Sequence, residues 1–202
     1  MTEEPRGRGR RPGGPDTRGQ ILAAARASFA ERGFGGTTIR GVARAAGVDP
    51  ALVHHYFGAK DDLFLAALEI PIDPRLLLPQ VLADGVDGAG ERLVTLFLSV
   101  WDDPVARLPL VALVRSALGQ GGPQGLLEQG VLRMLTEPVR AALPPAEADR
   151  RIQLVLSQMS GLVVMRYLLA VEPLASMPAA EVVAWVAPTV QRYLDAPVPA
   201  IG

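Results

Sequence analysis

The chain has 202 residues, 49% of them hydrophobic and 20% charged, with a formal net charge of −1; this suits a folded protein with a substantial core, in one domain or two. It has no cysteine, which excludes disulfides, thiol catalysis and thiolate metal sites. No apolar run reaches the roughly 18 residues that cross a bilayer, and the opening MTEEPRGRGRRPGGPD lacks the apolar stretch of a secretory signal, so a cytoplasmic protein is expected.

Charge is unevenly spread along the chain. Through Lys60 there are ten basic and five acidic residues, whereas the remainder holds ten basic and sixteen acidic. A basic first part on an acidic body is the pattern of a nucleic-acid-binding module joined to a different kind of domain. Residues 1–15, rich in Gly, Pro and Arg, are expected to be a disordered basic tail.

From Thr17 the pattern becomes helical. Ile21, Leu22, Ala25 and Phe29 recur at helical spacing, with Asp16 or Thr17 as cap and Gly33 as terminator. TTIRGVARAAG predicts a second, shorter helix capped by Thr37 or Thr38 and closed by Gly47. Asp49 caps a third, with Pro50 in its first turn and Val53, Tyr56 and Phe57 as its apolar side. Two short helices joined by a tight glycine turn make a helix-turn-helix. A fourth, AKDDLFLAALE, is disturbed at Pro71 and Pro74.

Beyond it the apolar pattern stays helical to the end, with breaks at 85–90, 102–104, 119–125, 144–145 and 173–178, so the fold class is all-α. Pro79, Pro138 and Pro188 fall inside helical stretches and are expected to kink or split them.

The third helix holds both histidines of the chain. His54 and His55 are adjacent, so they point about 100° apart, whereas two helical ligands of one ion need the i, i+3 or i, i+4 relation. No metal site and no cofactor is expected, and neither a nucleophile elbow nor paired carboxylates mark an enzyme. With Val53, Tyr56 and Phe57 inward, Pro50, Ala51, Leu52, His54 and His55 lie outward. Such a face suits the major groove, where thymine methyls take apolar contacts and base edges take hydrogen bonds.

The stretch GFGGTTIRGVARAAGVDPALVHHYFGAKDDLF resembles the DNA-binding domain of tetracycline-repressor-like (TetR/AcrR) transcriptional regulators through Gly33, Thr37, Thr38, Ile39, Ala43, Ala46, Gly47, Val48, Val53, Phe57, Lys60 and Leu63. The resemblance implies an N-terminal three-helix DNA-binding domain at 16–70 and a C-terminal helical ligand-binding and dimerisation domain at 71–202. It implies a homodimeric repressor released from a palindromic operator by a small molecule. Thr38 and Lys60 would then meet phosphate, while Arg40, Ala51, Leu52 and His55 approach base edges. His54 stands where the family usually has a phosphate-touching tyrosine, and Tyr56 where it often has histidine.

The resemblance also implies a four-helix bundle across a two-fold axis, made from 146–170 and 179–195. Ser157, Ser160, Gly161 and Ala170 would permit close approach, and Leu154, Met165, Leu169, Val182, Val186 and Val190 would supply burial. The middle helices would enclose a pocket walled by Phe97, Trp101, Met134, Met159, Val163 and Tyr167, with Arg92, Arg115 or Arg166 orienting a polar group. Arg166 has three options: the pocket, a salt bridge across the dimer, or water. The alternative reading is a helical small-molecule-binding protein or enzyme with a basic tail.

Overall fold

The computed structural model describes residues 16–70, 72–118 and 127–198, and every regular element among them is helical. The basic tail, Pro71 and the break expected at 119–125 lie outside the described residues.

Helix α1 spans Thr17–Gly36, with the Asp16 carboxylate accepting the Gly19 amide at 3.0 Å. That bond satisfies one of the donors a helix start leaves open. The end expected at Gly33 is instead a kink: Gly33 takes φ 67° and ψ −178°, a region only glycine enters freely, and one further turn follows. Helix α2, Ile39–Ala46, is capped by Thr38, whose hydroxyl accepts the Gly41 amide at 3.0 Å, and is closed by left-handed Gly47. Thr37, the other cap considered, is buried and donates its hydroxyl to the Gly33 carbonyl at 2.9 Å. Helix α3 is Pro50–Phe57, capped by Asp49 at 2.7 Å from the Ala51 amide, and α4 is Lys60–Ala67.

The body begins with α5, Pro74–Val81, and continues with α6, Ala89–Trp101, and α7, Pro104–Leu118. A π-helical turn, Leu127–Leu132, leads into α8, Arg133–Ala142. The stretch read as one helix over 146–170 divides into α9, Ala148–Leu162, and a second π-helical turn, Val163–Leu168; α10 is Ala179–Asp195. Helices run unsplit through Pro79, Pro138 and Pro188, and through Pro109 as well. At Pro188 the carbonyl deprived of its donor belongs to Ala184, which is exposed, so water can replace the lost bond.

Two core clusters form. The head cluster centres on Ile21, Phe29, Phe34, Val42, Val53, Leu63 and Phe64, and it takes in Leu113 and Met134 from the body. The body cluster centres on Val94, Leu98, Ile152, Val155, Met159, Val182 and Val190. Its most extensive helix pair is α6 with α10. Gly90 makes that pairing possible: a β-carbon there would lie 2.7 Å from the Ala187 carbonyl, and its amide donates to Gln191 Oε1 at 2.8 Å.

Candidate nucleic-acid interface

Helix α3 is held from one side and bare on the other. Val53 and Phe57 enter the head core, while Ala51, Leu52, His54, His55 and Tyr56 are exposed and Pro50 is half-buried. Tyr56 is 43% exposed, so its placement on the apolar side is corrected. Its ring meets His55 edge to face at 5.4 Å, whereas Phe57, one residue on, takes the buried position. Thr38 and Arg40 are exposed at the start of α2.

His54 is less free than the outward face suggests. Its Nδ1 lies 2.9 Å from the Gly58 carbonyl oxygen, so that nitrogen carries the proton and donates, which turns Nε2 outward. Lys60 is half-buried, with its ammonium 4.3 Å from the Phe34 ring centre. Burial pushes it below the ordinary lysine value, against Asp61, which raises it, and with Arg133, which lowers it further. Sequence reasoning counted Arg18 only in the charge balance. Its exposed guanidinium sits 5.2 Å from the Phe57 ring at the end of α3, adding a cation beside the helix.

The head and body meet through α4 and the start of α8. Arg133 pairs with Asp61 at 2.7 Å, and its guanidinium carbon also lies 5.0 Å from the Phe34 ring centre. Arg75, at the start of α5, pairs with Asp61, Asp62 and Asp73. The Arg75 guanidinium, hydrogen-bonded to both, holds the Asp62 and Asp73 carboxyls below the ordinary aspartate value. Gly130 of the first π-helical turn lies against Phe64, whose ring a β-carbon at that position would overlap. Asp61 and Asp62 read in the sequence only as acidic residues of the first turn of α4; their pairs with Arg75 and Arg133 did not, because they join residues 13 to 72 positions apart.

Behind the junction lies a cavity of about 330 Å³. Of the expected walls, Phe97, Trp101, Met134, Met159 and Val163 line it, and Tyr167, Arg115 and Arg166 do not. Arg115 is exposed. Arg166 is 9% exposed and points elsewhere: it donates to the carbonyls of Leu174 at 2.6 Å and Met177 at 2.8 Å, and lies 3.3 Å from Asp102. Burial works to lower its value, and hydrogen bonding to Tyr167 with the Asp102 charge more than offsets this. Tyr167 donates to Asp102 at 2.9 Å, and burial with that bond pushes its phenol up to about 12. The pair fastens the 172–178 loop to the end of α6, so the pocket option for Arg166 is corrected. From the head side, Leu65 and Ile70 reach the cavity wall.

Val182 and Val190, assigned to a contact between subunits, are wholly buried within the subunit. The apolar side chains left outside on these elements are Leu154, Met165 and Leu169, together with Trp185, which is 74% exposed and was not singled out in the sequence.

Two family signatures cover most of the chain. The one described as bacterial regulatory proteins, tetR family, matches residues 21–67, and the one described as tetracyclin repressor-like, C-terminal domain, matches 87–194. A TetR-family regulator from Streptomyces coelicolor A3 is 43% identical, with 92% of this chain and 98% of that one covered and a TM-score of 0.50. The chain belongs to the TetR family. It is therefore a transcriptional regulator with a helix-turn-helix head and a helical C-terminal domain. The regulator BetI of Brucella anthropi is 44% identical over 54 residues, 27% of this chain and 28% of that protein. HbdR of Aromatoleum sp. is 34% identical over 86 residues, 43% of this chain and 36% of that protein. The TetR-family chain thus spans only about a third, or less, of the length of these curated relatives.

Proposed function

We propose that this regulator acts as a homodimer, represses transcription from a palindromic operator and lets go when a small molecule fills the body cavity. The observation that carries this reading is the pairing of a bare α3 face with a hollow whose wall includes Leu65 of α4, the helix that follows α3. A ligand changes DNA affinity only to the extent that it prefers one arrangement of head and body over the other. In this assignment Ala51, Leu52, His55 and Arg40 reach base edges; Thr38, Lys60 and Arg18 approach phosphates; and Pro50, His54 and Tyr56 border the contact. A second copy would cover Leu154, Met165, Leu169 and Trp185, an outward apolar set on α9, the following π-helical turn and α10. Two α3 helices about 34 Å apart would then read half-sites one turn apart on a duplex.

A mobility shift with DNA from the protein's own upstream region, paired with light scattering, checks the reading. Retardation at the mass of two chains is expected, weakened about ten- to hundredfold by Arg40→Ala or His55→Ala. A monomer that ignores all such DNA sinks it.

A further inference from the structure

The cavity carries a statement about ligand chemistry that rests on the reading of it as the effector site. Its walls among the described residues include no ionisable side chain, and their only hydroxyls are Thr136 and Ser160. The Thr136 hydroxyl already donates to the Arg133 carbonyl of its own helix at 3.3 Å, which leaves its oxygen as an acceptor. Between Arg115 and Arg133 the sequence has one ionisable residue, Glu128.

Arg115 of α7 is exposed and not part of the wall, and four further arginines of the surrounding helices are committed elsewhere. Arg92 donates to the carbonyls of Val81 at 2.6 Å and Gly85 at 2.8 Å. Arg133 is engaged by Asp61 and Phe34, Arg151 by Glu147 and the Tyr193 and Ala196 carbonyls, and Arg166 by the 172–178 loop and Asp102. A carboxylate, phosphate or ammonium placed against these walls would meet no counter-charge among the described residues, a heavy penalty wherever it also leaves water. The volume of about 330 Å³ lies at the lower end of the range of small-molecule sites. Both π-helical turns border the space, through Val131 and Leu132 on one side of the sequence and Val163 and Val164 on the other. This rare helical geometry gathers at functional sites.

We propose that the effector of this regulator is an uncharged, predominantly apolar small compound, with at most one or two hydroxyl- or amide-type groups that reach Thr136 or Ser160. Anionic carriers, acyl phosphates and quaternary amines are rejected by desolvation and not by shape.

Isothermal titration calorimetry on the full chain with three probes of equal tail length tests this: 1-decanol, decanoate and decyltrimethylammonium at pH 7.5. Saturable binding of decanol is expected, with both charged probes about a hundredfold weaker or more. Leu96→Trp and Val164→Phe, which fill the space from two different elements, should abolish decanol binding while the proteins still retard operator DNA. Equal affinity for the three probes overturns the proposal, since the head group would then be sitting in water. So does an absence of saturable decanol binding, or decanol binding that survives both filled variants. Decanol that binds in the expected order yet leaves operator affinity unchanged supports the ligand class and overturns the release mechanism proposed above.

Discussion

In the head, Phe29, Phe34 and Phe64 meet ring to ring at 5.0 to 6.1 Å, whereas in the body Trp101, Met159 and Ile152 face a hollow of about 330 Å³. The first arrangement fixes one surface, the bare side of α3, against a filled core. The second withholds packing, and an unfilled space forgoes the contacts that would otherwise stabilise its lining. Regulation by a ligand needs both: a reading surface that does not deform by itself, and a neighbour whose shape depends on what it contains.

The contrast is broken most severely at its seam. Phe64→Ala removes a fully buried ring from the head core and its support on Gly130, so unfolding free energy should fall by about 3–5 kcal/mol, read from urea midpoints. In the body, Arg166→Met leaves the Leu174 and Met177 carbonyls without their donor and should cost about 2–4 kcal/mol. Since Arg166 lies outside the cavity wall, the folded fraction of that variant should retain decanol binding in calorimetry.

Effects confined to the head are smaller. Thr38→Val removes the α2 cap and should lower stability by about 1 kcal/mol, with a loss of operator affinity in gel shifts that exceeds what stability explains. The smallest effect belongs to the junction. Asp62 and Asp73 are held below the ordinary aspartate value of 3.8, so their contribution is present above that pH and fades as pH falls through the lower folded values. Asp62→Asn should therefore lower stability at pH 7 by less than about 1 kcal/mol, change little in strong acid where the carboxyl is protonated anyway, and so flatten the acid limb of a stability profile read from urea midpoints.

Head and body also differed in how far they could be read from the sequence. Asp16, Thr38, Gly47, Asp49 and Pro50 occupy the cap and turn positions their chemistry implied, because a cap is decided within three or four residues. Tyr56 was misplaced because two adjacent aromatics compete for one buried position, and only the assembled head core shows that Phe57 takes it. In the body, helix existence was legible and orientation was not. The destination of Arg166 depends on carbonyls 8 and 11 residues ahead and on Asp102, 64 residues behind. Val182 and Val190 face inward because α6 approaches α10 at Gly90, a contact 101 positions apart in sequence. The π-helical turns span six residues each, too few to show a period of their own in the sequence.

The chain has two tryptophans, and the fold puts them to separate uses. Trp101 borders the hollow beside Phe97 and Tyr167, and Trp185 stands on the outer apolar set. Intrinsic emission therefore divides into two channels: a Trp185→Phe protein reports occupancy through Trp101, and a Trp101→Phe protein reports subunit pairing through a blue shift of Trp185. Filling and assembly can be timed independently in one cuvette, without a label.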